Sequence, residues 1–101
     1  MAQFDVYHNP GARTGKHAPY LVEIQGRFVE SLSTCVVAPL VRGEYFIGAS
    51  VLNPLVPVNG EEYYLSPAEM TAVSRTILGR PVASLTAYRT EIIAAIDRLL
   101  L

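Results

Sequence analysis

The clearest helical signal in this chain comes at its end. From about Thr86 to Leu101, the apolar residues Leu85, Tyr88, Ile92, Ile96, Leu99 and Leu100 recur at helical spacing, with Ala95 among them. Arg89, Glu91, Asp97 and Arg98 mark the wetter faces, and Thr86 is placed to cap. The body before it, about residues 1–80, reads mainly as strands and turns. A single helix covers one face of a small sheet, so such a body must protect its other edges by curling on itself. A small, twisted, partly closed antiparallel barrel does this with the least material. The helix finishes in Leu99, Leu100 and Leu101, and a helix ending in three leucines presents apolar surface to something.

Gln3 to Tyr7 alternates, with Phe4 and Val6 on one face and Gln3, Asp5 and Tyr7 on the other, until Asn9-Pro10-Gly11 breaks it. A polar, basic loop with Arg13, Lys16 and His17 follows. Tyr20 to Gln25 sets Tyr20, Val22 and Ile24 opposite Glu23 and Gln25. Cys35 to Val41 is a continuous apolar run that Pro39 is expected to bend or end. Tyr45-Phe46-Ile47, between Gly43 and Gly48, reads as a connector or small accessory strand. Leu55 to Val58 and Glu62 to Leu65 flank Asn59-Gly60, a dipeptide that takes positive φ readily and so signals a hairpin. Ser66-Pro67-Ala68-Glu69 has the form of a capping box, whereas Thr71 and Val73 suit a strand.

At 101 residues the chain is one domain, 1–101. Half its residues are hydrophobic and 17% are charged, which excludes a disordered chain, and a net charge of -1 gives no long-range attraction to nucleic acid. The lone Cys35 excludes a disulfide framework, reads as a buried hydrophobe and fits a cytoplasmic protein. No signal peptide or membrane span is visible. His8, Arg13, Lys16 and His17 cluster in sequence around the first loop, where they could hold a phosphodiester and supply an acid and a base, but their spacing matches no nucleophile or metal motif. Glu61-Glu62 reads as turn charge, and the scattered glycines build no phosphate-cradling loop. No catalytic residue, metal site or cofactor is assigned, and binding rather than catalysis is the expectation.

The order of several strings carries a resemblance. Gln3-Phe4-Asp5-Val6-Tyr7, Tyr20-Leu21-Val22-Glu23-Ile24-Gln25 and Val36-Val37-Ala38-Pro39-Leu40 come first. Leu52-Asn53-Pro54-Leu55-Val56-Pro57-Val58, Met70-Thr71-Ala72-Val73, Ile77-Leu78-Gly79 and the Leu85 to Ile96 helix follow. Over nearly its whole length the chain resembles the CcdB family of toxins. The resemblance implies an SH3-like, CcdB/MazF-type barrel with a small wing sheet and one C-terminal helix. It also implies a homodimer and a non-enzymatic toxin that binds the GyrA subunit of DNA gyrase. A CcdA-like antitoxin would neutralise it through a disordered arm, with DNA reached only through that antitoxin. It further implies a strand around Glu69 to Ser74, making the capping box a decoy.

By the same resemblance, the candidate target contacts are Phe4, Phe28, Val29, Arg89, Thr90, Ala94, Asp97 and Leu101, and the candidate antitoxin contacts are Arg13 and Lys16. The tail departs from the family. Gyrase poisons of this kind end in Trp-Gly-Ile, whereas Leu101 stands at the Trp position with nothing after it. Arg89 replaces a family acid and Ala94 a hydrogen-bonding side chain. Two alternatives accompany the toxin reading: a non-toxic, antitoxin-binding co-repressor, and a MazF-like endoribonuclease built on His8, Arg13 and His17.

Overall fold

The computed structural model describes residues 3–11, 17–25, 33–43 and 51–100. Within them lie seven strands: β1 (Asp5–His8), β2 (Tyr20–Glu23), β3 (Thr34–Arg42), β4 (Leu55–Val58), β5 (Glu61–Leu65), β6 (Thr71–Ser74) and β7 (Ala83–Ser84). The chain then enters the single α-helix described, α1 (Arg89–Leu100), through a 3-10 turn at Thr86–Tyr88. All the pairings are antiparallel, in the order β4-β5-β3-β2-β1-β7, with β6 also on β3. The architecture is the expected one, a mainly β antiparallel body closed by one C-terminal helix. The Tyr45 to Ile47 connector lies outside the described residues.

Pro39 does not end its strand. β3 runs through it from Thr34 to Arg42, and the reason is local. Along one edge β3 pairs first with β6, over Thr34 to Val37, and then with β5, over Leu40 to Arg42. The Pro39 carbonyl points to that edge, where it accepts from the Ser66 N–H at 3.0 Å. The nitrogen of a strand residue points the same way as its carbonyl. The donor that proline lacks therefore falls in the gap between two partner strands, where no ladder bond needs it.

The ambiguous segment uses both of its signals. Pro67–Glu69 forms one 3-10 turn with the proline near its start, but the Ser66 side chain makes no cap bond, and Thr71–Ser74 then pairs with β3. The capping box is thus a single turn leading into the expected strand. At the hairpin, Asn59 (φ 52°) and Gly60 (φ 86°) both adopt the left-handed conformation that a tight two-residue turn demands. Thr86 is not the cap of the last helical segment; Ser84 Oγ instead accepts from the Thr86 N–H at 3.3 Å.

The inner face of the sheet and α1 share the main core. Val6, Val22, Ala38, Leu40, Val56, Val58 and Leu65 pack with Leu85 and Ile92, all 2% exposed or less. Phe4 joins them by an unusual route. It precedes β1 in a left-handed conformation (φ 69°), which starts the strand at Asp5 rather than at Gln3 and drops the ring into the core. Its N–H donates to the Glu23 carbonyl at 2.7 Å, and its own carbonyl accepts from Leu85 N–H at 2.9 Å.

Candidate functional site

Helical geometry sorts the target-contact candidates. Ile92 and Ala95 are buried against the sheet, so α1 turns its opposite side to solvent. Thr90, Ala94 and Asp97, spaced four and three apart, form one stripe on that side; Thr90 and Asp97 are exposed and Ala94 is half-buried. At the helix end Leu99 and Leu100 are 37% and 63% exposed. Arg89 is also exposed but lies off the stripe. Its Nη1 donates to Gln3 Oε1 at 3.1 Å, and its guanidinium sits 5.9 Å from the centre of the Phe4 ring. Gln3 Nε2 in turn donates to the Ile24 carbonyl at 3.2 Å, so Arg89 ties the start of α1 to the barrel. Phe4 is 2% exposed and offers its ring to the core rather than to a partner. Phe28, Val29, Leu101, Arg13 and Lys16 lie outside the described residues.

The outer face of the sheet holds a second feature that sequence reasoning missed. Glu23 and Tyr7, both assigned by alternation to the polar side of their strands, are fully buried. Tyr7 Oη donates to Glu23 Oε1 at 3.1 Å, and Arg75 Nη2 donates to Glu23 Oε2 at 3.3 Å. Arg75 comes from the 3-10 turn Arg75–Ile77 that follows β6 and crosses this face, and its side chain is only 13% exposed. Pairing with β3 lays β6 and its turn over residues that would otherwise face water. The only local hint was that Glu23 shares its face with Leu21 and, across the ladder, Tyr7. Its partner, Arg75, is 52 residues away in sequence.

Burial governs the titration of this cluster. The Tyr7 hydroxyl is pushed well above its usual range, first by burial and then by the Glu23 charge it donates to. The Cys35 thiol, buried beside them, is pushed up to about 11 by the same causes in the same order, which fits the inert buried thiol that its sequence context suggested.

Next to the cluster, the outer face opens into a groove of ≈ 940 Å³. Leu21, Val37, Pro39 and Val41 belong to the sheet strands that line it, Asn9 to Gly11 and His17 stand on one flank, and Thr71, Val73 and Ile77 on the other. The two histidines that share a loop in sequence separate in space. His17 lines this groove, whereas the His8 ring lies 5.3 Å from that of Tyr20, a residue packed against the inner-face core. Among the described residues, no group of three or more His, Cys, Asp or Glu side chains is placed to hold a metal ion, and no helix is long and apolar enough to cross a membrane.

The profile of the CcdB protein family matches residues 3–101. Against curated protein sequences nothing matches significantly. Among solved structures, the fold is similar to an endoribonuclease in complex with its cognate antitoxin from a mycobacterial species. The TM-score is 0.77 and the identity 13%, over 99% of this chain and 94% of that one. It is also similar to the toxin MazF-mt6 of Mycobacterium tuberculosis, with a TM-score of 0.70 and 15% identity over 95% of this chain and 93% of that one. At such identities the likeness concerns the fold. It nevertheless corrects the expectation of a non-enzymatic protein: this barrel is one in which an endoribonuclease operates, so the architecture gives no ground for setting catalysis aside.

Proposed function

The chain belongs to the CcdB family, and on that premise we propose that it is the toxin of a toxin–antitoxin pair, acts as a homodimer, and engages its target through the outward stripe and apolar tip of α1. DNA gyrase, through its GyrA subunit, or a related topoisomerase is the proposed target. The observation that carries this reading is the helix end. In a chain that hides Ile92 and Ala95 completely, Leu100 stays 63% exposed beside the polar stripe of Thr90 and Asp97. An exposed apolar anchor rimmed by polar residues is the usual form of a protein-binding surface. The antitoxin is proposed to reach the basic loop of Arg13 and Lys16, whose flanking residues Gly11 and His17 line the outer groove.

An endoribonuclease reading ranks second, favoured by the fold of its neighbour. One experiment tests both: induced expression in a gyrase-sensitive host, with and without the antitoxin, scoring growth, trapped DNA breaks and RNA cleavage together. The gyrase reading expects growth arrest with DNA breaks. It also expects Asp97→Arg to weaken the arrest roughly tenfold or more while leaving the melting temperature unchanged. Arrest with cut RNA and intact DNA would replace it by the ribonuclease reading. Antitoxin binding without arrest would leave a co-repressor.

A further inference from the structure

α1 starts without a side-chain cap. The 3-10 turn that leads into it begins after Leu85, which makes no side-chain bond to the N–H groups of the first turn. Of the described helix residues, Ile92 and Ala95 are buried. They lie on one face, so they set how closely the helix sits on the sheet but hold its roll about its own axis only weakly. The roll is held from the flank. At about 100° per residue, Arg89, Ile93 and Leu100 fall within about 40° of one another, between the buried face and the outward stripe of Thr90 and Asp97. Ile93 is half-buried against the core, and Leu100 is the exposed tip.

At the head of this flank, Arg89 grips the pair Gln3 and Phe4. Its Nη1 donates to Gln3 Oε1 at 3.1 Å, and its guanidinium lies 5.9 Å from the centre of the Phe4 ring, within range of a cation–π contact. The pair is itself fixed at both ends. Gln3 Nε2 donates to the Ile24 carbonyl at 3.2 Å, and the Phe4 N–H to the Glu23 carbonyl at 2.7 Å. On the other side the Phe4 carbonyl accepts from the Leu85 N–H at 2.9 Å. Gln3-Phe4 is therefore a bracket between the end of β2 and the entry to α1. Its left-handed φ of 69° at Phe4 is a conformation that a bulky residue keeps only where its surroundings over-determine it, and these bonds do so.

We propose that Arg89 is a positioning residue, not a target contact: held on the Gln3-Phe4 bracket, it sets the roll of α1 and so the direction in which Leu100 and the Thr90–Asp97 stripe face. The proposal deepens the reading of α1 as the target surface and rests on it for the partner. A rigid helix transmits roll undiminished, so Leu100, about 16 Å along the axis from Arg89, turns with it. A roll of about 30° moves a side chain about 5 Å from the axis by about 2.5 Å, enough to take an anchor out of its pocket.

Residual dipolar couplings of the backbone amides, amide exchange and binding to purified GyrA test this on the full chain. Arg89→Met keeps the apolar stem and removes the grip, and Arg89→Glu reverses the charge. Arg89→Glu with Gln3→Lys rebuilds the link with its polarity exchanged, which restores the grip but not a cation at position 89. In the two single variants the α1 couplings should no longer fit the natural orientation against the sheet. The Leu85 amide should exchange about tenfold faster while β3 and β5 amides keep their rates, and GyrA binding should weaken about tenfold. The double variant should recover all three. Unchanged α1 couplings in both single variants overturn the proposal, and weaker GyrA binding alongside them makes Arg89 a contact. A reoriented helix that binds GyrA as well as before overturns it too. Faster exchange throughout the sheet with a lower melting temperature assigns Arg89 to general stability and overturns it likewise. A natural chain without affinity for GyrA, whose couplings nevertheless shift and recover as expected, overturns the gyrase reading and leaves the positioning role standing.

Discussion

Replacing Arg75 by methionine should be the most damaging single change on the outer face. Glu23 is fully buried, and its carboxylate oxygens are served separately, Oε1 by Tyr7 and Oε2 by Arg75. Methionine keeps most of the apolar stem of the arginine but removes the one cation that, among the described residues, is hydrogen-bonded to that carboxylate, leaving it with the neutral Tyr7 donor. Breaking a buried pair in this way costs about 3–5 kcal/mol, against a total stability of about 5–15 kcal/mol for a domain of this size. Tyr7→Phe leaves the ion pair and removes one hydrogen bond to a charged group, about 1.5–3 kcal/mol. Glu23→Leu combined with Arg75→Met removes both charges, and such swaps are often close to neutral. Urea unfolding of Arg75→Met, Glu23→Leu and their double, with Tyr7→Phe alongside and all at one fixed protein concentration, measures the coupling of the two charges. The expected order is Arg75→Met worst, Tyr7→Phe intermediate, and the double variant recovering most of the loss. An Arg75→Met protein within 1 kcal/mol of the natural chain, with no recovery in the double, would refute the claim that Glu23 is held by its partner rather than by water.

Alkali should destabilise the fold through two buried groups. The Cys35 thiol is raised to about 11 and the Tyr63 hydroxyl, by burial and by its bond to Glu61, to about 12. A proton held more tightly in the folded state supports the fold fully below the unfolded value and is lost as a source of stability as pH rises through the folded one. Stability measured by urea titration should therefore be flat near neutrality and fall from about pH 9 upward, and Cys35→Ala should remove the earliest part of the fall. Gly60→Ala should cost about 1–2 kcal/mol in thermal melts even though no atom lies within 4 Å of an added Cβ, because the cost is the left-handed backbone (φ 86°) alone; Gly60→Asn should cost less.

What could be read from sequence was whatever is local and periodic. The two-residue turn at Asn59-Gly60 needs only its own backbone preference, and the terminal helix only its own spacing, so both were visible without the rest of the chain. That β3 does not end at Pro39 was hidden from sequence because the tolerance depends on where β5 ends and β6 begins, some 25 to 35 residues later. Phe4 was read as the second residue of a strand because hydrophobic alternation carries no information about a left-handed φ. Glu23 and Tyr7 were assigned to water on the rule that the face opposite the core is wet. That rule fails here because β6 and its turn cover part of the outer face, a fact held in the β3–β6 pairing and in no local pattern.

The two faces of the sheet make different demands on any function this barrel carries, and one protein of similar fold is an endoribonuclease. The inner face and α1 are committed to the core, from Phe4 to Ile92, and a substitution there changes stability before it changes function. The outer face and the exposed side of α1 are where function has to be written, and they make different demands. Cleaving a phosphodiester needs an acid and a base converging on one phosphate. Among the described residues, His17 is on the groove while His8, the last residue of β1, is turned toward Tyr20, so the two histidines do not converge on one phosphate. Gripping a protein needs an apolar anchor and a polar rim, the role proposed above for Leu99, Leu100, Thr90 and Asp97 on a helix fastened at its start by Arg89 and Gln3. The barrel holds these surfaces apart. A change at one of them can therefore be read without disturbing the other, which is why growth, DNA breaks and RNA cleavage have to be scored in the same cells.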